Sequence, residues 1–222
     1  MKELIKEKWY LFGQWLCKFF CMLFFQWRCY GRENIPAKGA FLLISNHQSF
    51  LDPMFCGSII SRHTNFMARD TLFKSPVLGW ILKSVGTIPV RRGQADIKAI
   101  KSIIAKLKEG RGVCLFPEGT RTRDGRISAF KPGFGLLCRR GNAAVVPVVI
   151  EGAYDAWPKH RNFFIPGRQI MVCYGKAIPV EKVKNFTDKE LADKITNITR
   201  KMQNRCRIKM GKEAFDYSNE KE

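Results

Sequence analysis

The chain of 222 residues carries 39 Lys and Arg against 19 Asp and Glu, a net charge of +20, yet only 26% of it is charged and 45% is hydrophobic. That apolar content supplies a core and excludes a disordered chain, and the length suits one sizeable domain with an appendage. The surplus calls for an anionic partner, which composition alone leaves as nucleic acid, an anionic membrane or a phosphorylated substrate.

Most of the surplus falls in residues 41–180, so it belongs to the body of the chain and not to a basic tail. Eight cysteines, Cys17, Cys21, Cys29, Cys56, Cys114, Cys138, Cys173 and Cys206, lie mostly inside apolar runs with no CxxC pair. They read as buried, reduced thiols of a cytosolic protein, with neither a metal site nor a disulfide framework.

From Trp9 to Trp27 the sequence is apolar and crowded with aromatics. A signal peptide needs an uninterrupted apolar region and a small-residue cleavage site, and neither is clear. Spanning a bilayer takes about 20 apolar residues, whereas Gln14, Lys18 and Gln26 interrupt this stretch. Trp and Tyr favour the membrane interface and Lys snorkels to headgroups, so the stretch reads as a helix or helical pair embedded in one leaflet. A core-packing helix and a single span are the alternatives. Residues 1–30 are assigned to this element, 31–212 to a domain, and 213–222 to a frayed polar tail.

From residue 41 the pattern is α/β: a mixed, mostly buried sheet flanked by helices. The apolar runs Phe41–Ile44, Val113–Phe116, Val145–Ile150 and Ile170–Tyr174 have strand length and lack strict alternation, as strands covered on both faces do. Ile97, Ile100, Ile103, Ile104 and Leu107 recur at helical spacing, with Asp96 as a cap and Gly110 as a stop. Leu191, Ile195, Ile198 and Met202 repeat the pattern, and Thr187 with Glu190 forms a capping box.

Ser45-Asn-His-Gln-Ser-Phe-Leu-Asp52 follows a strand, at the end where α/β sheets place ligands. His47 and Asp52 are five apart in a turn entering a helix, with Pro53 in its first turn. The carboxylate reaches back to one imidazole nitrogen and leaves the other as a general base. By itself this spacing also fits an Asp that merely caps a helix. Phe116-Pro-Glu-Gly-Thr-Arg-Thr122 follows another strand and puts Glu118 and Arg121 on a Gly-containing loop, suited to an anionic substrate with hydroxyls or to an ordinary surface ion pair. Gly86 to Arg92 ends in two guanidiniums; Arg92 and Arg121 converging on one pocket would clamp a phosphate. Pro147, inside a strand-like run, argues for an edge or bulge position lining a cleft. His63 and His160 read as solvent-facing. Ser49 has no nucleophile-elbow signature, and Cys56 sits in an apolar helical pattern.

In this order the segments resemble the glycerolipid acyltransferase family, specifically the PlsC-like 1-acylglycerol-3-phosphate acyltransferases. Asn46–Asp52, Gly86–Arg92, Phe116–Arg121 and Val146–Val148 are similar to its four motifs, over roughly residues 30–180, and the N-terminal stretch is similar to a membrane-embedded two-helix element of short members. Arg91 stands where an acidic or variable residue is expected, so Arg92 takes the second-motif role. The resemblance implies that His47 deprotonates the sn-2 hydroxyl of lysophosphatidic acid for attack on an acyl thioester, with Asp52 orienting the imidazole. It also implies acceptor binding by Arg92, Glu118, Gly119, Thr120 and Arg121, acyl or cleft lining by Pro147, and no cofactor beyond acyl-CoA or acyl carrier protein thioester as co-substrate. Anionic membrane lipids are the expected partner, nucleic acid is not, and the expected location is the cytoplasmic face of a membrane. Glycerol 3-phosphate or another lysolipid is the alternative acceptor; a basic nucleic-acid-binding protein or a membrane scaffold is the alternative of another class.

Overall fold

The computed structural model describes residues 2–91 and 96–218. The chain opens with one helix, α1 (Lys2–Phe24), followed directly by a strand, β1 (Gln26–Tyr30). Next come β2 (Ala40–Ser45), α2 (Asp52–Gly57), β3 (Thr64–Asn65), β4 (Met67–Arg69), α3 (Pro76–Ser84) and β5 (Ile88–Val90). The remaining elements are α4 (Ile97–Lys108), β6 (Gly112–Leu115), α5 (Phe134–Gly141), β7 (Ala143–Glu151), α6 (Ala153–Ala156), β8 (Gln169–Tyr174), α7 (Val180–Val183) and α8 (Asp188–Lys209).

Six strands form one mixed sheet in the order β1-β8-β7-β2-β6-β3, parallel throughout except for the β7–β8 pair. β4 and β5 make a separate parallel pair. The expected strands are present: β2, β7 and β8 have slightly wider bounds, whereas β6 starts one residue earlier and ends at Leu115, which leaves Phe116 to the loop. Their apolar continuity has a simple cause: successive side chains alternate between two covered faces. Leu42 and Ile44 of β2, with Val113 and Leu115 of β6, pack on the α4, α5 and α8 side; Phe41, Leu43 and Cys114 pack on the α1 and α2 side. Each such fully buried Leu, Ile or Phe contributes about 1.5–3 kcal/mol.

Local signals hold the helices as expected. Asp96 accepts from the Ala99 amide at 3.0 Å at the start of α4, and Thr187 and Glu190 form the reciprocal capping box of α8.

The N-terminal boundary is different. The expected 1–30 element ends at Phe24, because β1 joins the main sheet in parallel register with β8, from Gln26 opposite Gln169 to Tyr30 opposite Cys173. There is one helix, not a pair, and among the described residues no helix is long and apolar enough to cross a membrane. α1 also faces the domain. The Gln14 side-chain amide donates to the carbonyls of Gly57 and Ile60 at 2.8 and 2.6 Å, closing the C-terminal end of α2. The polar interruption at Gln14 is thus the fold-facing stripe of the helix. Its other face leaves Phe12, Trp15, Leu16, Phe19 and Leu23 exposed.

Residues 213–218, expected to fray, lie against α8 instead. Asn204 exchanges two hydrogen bonds with the Phe215 backbone, and the Arg207 guanidinium stacks 3.6 Å over the Phe215 ring. Two aromatics in a polar segment supply the apolar surface that docks it.

Candidate active site

β2 and β6 are parallel neighbours with Ile44 opposite Leu115, so the loops that follow them emerge side by side at one edge of the sheet. The first loop is turned out of the sheet by Asn46, whose side-chain amide bridges both backbone groups of Ile150, at 2.9 and 2.8 Å. The second loop then grips the first. The His47 amide donates to Glu118 Oε1 at 2.7 Å, and the His47 carbonyl accepts from the Thr122 amide at 2.8 Å.

With its backbone fixed, His47 presents a defined ring. Nδ1 lies 2.7 Å from Asp52 Oδ2, and the imidazole stacks on Phe116 with centroids 4.3 Å apart. Asp52 is fully buried as the first residue of α2, and Oδ2 also accepts from the amides of Gln48 and Ser49 at 2.6 and 2.8 Å. These donors offset the cost of burying a carboxylate. The pairing selects one tautomer: Nδ1 carries the proton donated to Asp52, leaving Nε2 with a lone pair. That arrangement can take a proton from a hydroxyl and stabilise the resulting imidazolium.

Glu118 lies beneath the loop. It is 6% exposed, and its oxygens accept from two backbone amides, His47 at 2.7 Å and Ser128 at 3.2 Å. Burial pushes its carboxyl up to about 8, against the lowering effect of those two hydrogen bonds. Gly119 turns the chain with φ +74°, a left-handed conformation that glycine adopts without strain. Thr120 is exposed, with the Lys159 ammonium 3.5 Å from its hydroxyl. Arg121 returns to the first loop, its guanidinium 3.5 Å over the Phe50 ring.

Two expected positions stand apart. Arg92 lies outside the described residues. Pro147 is not at an edge: it is buried in an interior strand, opposite Ile44 of β2. The β8 ladder begins at Val148, and beyond it the Gly175 amide donates to the Pro147 carbonyl at 2.7 Å, so the missing proline N–H falls where the partner strand departs.

His160 is exposed, whereas His63 is half-buried, stacked on Tyr10 at 3.9 Å; burial and the nearby Arg111 and Lys106 push its imidazole down to about 4. Ser49 and Cys56 are fully buried. Sequence reasoning passed over Phe50, Phe116 and Glu151. The signal for Glu151 was present: one acid closes an eight-residue apolar run.

Comparison with known proteins shows the family and the fold. The family model described as Acyltransferase matches residues 26–151. A 1-acyl-sn-glycerol-3-phosphate acyltransferase of Pseudomonas aeruginosa is 30% identical over 181 residues, 80% of this chain and 68% of that protein. A chloroplastic enzyme of the same name from Arabidopsis thaliana is 33% identical over 131 residues, 58% of this chain and 36% of that one. The chain spans about a third to a half of the length of the plant and algal relatives it matches. The crystal structure of the 1-acyl-sn-glycerophosphate acyltransferase PlsC from Thermotoga maritima superposes with a TM-score of 0.80 at 26% identity, covering 93% of this chain and 83% of that one. With the family model covering more than half of its length and the same loops meeting at one sheet edge, the chain belongs to the acyltransferase family.

Proposed function

We propose that the protein transfers a fatty acyl group from an acyl thioester to the sn-2 hydroxyl of 1-acylglycerol 3-phosphate, giving phosphatidic acid. The observation that carries this reading is the His47 Nδ1–Asp52 Oδ2 contact of 2.7 Å, which leaves Nε2 as a base beside the Arg121-bearing loop. Nε2 removes the hydroxyl proton as the oxygen attacks the thioester carbonyl. The tetrahedral intermediate collapses with loss of the thiolate, and the imidazolium returns its proton to the sulfur. A positioned general base supplies about 10²–10⁴-fold, and holding acceptor and donor together supplies more. Arg121, with Arg92 from the second motif, is the candidate holder of the acceptor phosphate. Glu118 contributes by fixing the His47 backbone.

The surface supports a lipid substrate. The exposed face of α1 is continued by Val77, Trp80 and Ile81 of α3, with Trp9 and Trp80 in edge contact at 5.7 Å. An apolar groove between α1 and Met54 of α2 is lined by Leu16, Cys17, Phe19, Phe20, Leu23 and Phe24, two residues along α2 from Asp52. This face, on a chain of net charge +20, is read as the side resting on anionic lipid at the cytoplasmic face of a membrane.

The test is acyl transfer by full-length protein in detergent or anionic vesicles, with lysophosphatidic acid and either acyl-CoA or acyl carrier protein thioester, alongside His47→Ala. Phosphatidic acid from the parent protein and its loss in the variant are expected. Acyl transfer undiminished in His47→Ala would overturn the base. Faster turnover of glycerol 3-phosphate or a phosphate-free lysolipid would overturn the acceptor assignment.

A further inference from the structure

We propose that Glu151 and Gln203 are positioning residues for acyl transfer, a buried polar junction through which α8 and the segment after it hold both active-site loops in register; this rests on the acyl-transfer reading of His47.

β7 runs parallel to β2 with Val148 opposite Ser45, so Glu151, three residues on, emerges at the same sheet edge as the His47 loop. Glu151 is 2% exposed. Oε1 accepts from Arg207 Nη1 at 2.8 Å; Oε2 accepts from Gln203 Nε2 at 2.7 Å and from Gln48 Nε2 at 3.4 Å. The same two amides converge on the Gly125 carbonyl, Gln48 at 2.9 Å and Gln203 at 2.8 Å. Gly125 belongs to the loop after Arg121, whereas Gln48 is the neighbour of His47. One junction therefore joins the two loops that bring the reacting groups together.

The orientation of each amide is determined. Gln48 Oε1 accepts from the Tyr154 amide at 3.2 Å, and Gln203 Oε1 accepts from the Tyr217 hydroxyl, which itself accepts from the Ile127 amide at 2.9 Å. Both NH₂ groups are spent on Gly125 and Glu151, so neither side chain can flip without turning its oxygen against the Gly125 carbonyl and the Glu151 carboxylate, acceptor against acceptor. The consequence reaches the reacting atoms through one residue: the backbone amide of Gln48 donates to Asp52 Oδ2 at 2.6 Å. A loop loosened at Gln48 loses the registration of Asp52 against His47, and a misplacement of about 1 Å can cost about 10²-fold in rate.

The experiment compares full-length Glu151→Ala and Glu151→Gln. Both remove the charge facing Arg207, but Gln retains a carbonyl oxygen for Gln48 and Gln203. A stability comparator is Arg139→Ala, whose partners Phe186 and Asp188 belong to neither loop. Glu151→Ala is expected to lower kcat at least about tenfold with the KM for lysophosphatidic acid little changed, as for an interaction expressed in the transition state. Glu151→Gln should recover most of that kcat although both variants lower Tm. Amide hydrogen exchange of residues 45–50 and 122–126 should quicken in Glu151→Ala and not in Arg139→Ala. Equal kcat for the Ala and Gln variants, or unchanged exchange in both loops, would overturn the proposal. Because exchange needs no turnover, a parent protein inactive on lysophosphatidic acid would count against the acyl-transfer reading alone, and a fully active Glu151→Ala against the junction alone.

Discussion

Phe50 and Arg121, 71 residues apart in sequence, stack at the mouth of the site, with the guanidinium carbon 3.5 Å from the ring centroid and half of Phe50 exposed. The ring sits in the first loop and the cation in the second, so the contact ties Arg121 to the loop that carries His47. A cation–π contact at an exposed site is worth about 0.5–1 kcal/mol. Phe50→Ala is therefore expected to raise the acceptor KM about two- to fivefold with kcat little changed, read from initial rates against lysophosphatidic acid. An unchanged KM would show that Arg121 needs no such support.

Asp52 combines two tasks that substitutions can separate. Asp52→Asn keeps an oxygen for the Gln48 and Ser49 amides but removes the charge that stabilises an imidazolium at His47. Its kcat should fall about 10²–10⁴-fold with Tm close to the parent. Asp52→Ala abandons all three hydrogen bonds and should lose thermal stability as well. Thermal melts of both variants beside their rates check the separation.

The raised carboxyl of Glu118 predicts a pH dependence of stability. Between its ordinary value of 4.5 and its folded value of about 8, the folded chain holds a proton that the unfolded chain has released. Folding stability from this group is therefore complete below about pH 4.5 and is lost as pH rises through 8. Glu118→Gln, which cannot ionise, should flatten the fall of Tm between pH 5 and 8.5. A slope identical to the parent protein would show that Glu118 is already ionised throughout that range.

The apolar face shared by α1 and α3 predicts membrane attachment that charge alone does not provide. Trp15 is 59% exposed and Trp80 60% exposed, and burying one large apolar side chain contributes about 1.5–3 kcal/mol. Trp15→Glu and Trp80→Glu should each weaken co-sedimentation with anionic vesicles by an order of magnitude or more, with the far-ultraviolet circular dichroism of the parent. Salt should weaken the residual binding of the variants further, because their attachment then depends on the basic surface. Vesicle binding insensitive to both substitutions would place the contact elsewhere.

What the sequence determined by itself is the set of structures closed within a few residues. The two-faced apolar runs become buried strands, Asp96 and the Thr187–Glu190 pair cap their helices, and His47 meets Asp52 because five residues in a turn allow it. Side-chain spacing encodes such contacts directly. The tertiary structure decided everything that depends on strand order. It made residues 26–30 an edge strand paired with β8, put Pro147 inside the sheet, and turned Gln14 toward the end of α2. It also set Glu118 under the His47 amide and brought Glu151 and Gln203 to the back of the same loop. No local pattern distinguishes a Glu that meets a substrate from a Glu that meets a backbone amide. That difference arises only when β2, β6 and β7 lie side by side, and strand order is fixed by the collective burial of both sheet faces, not by any one segment.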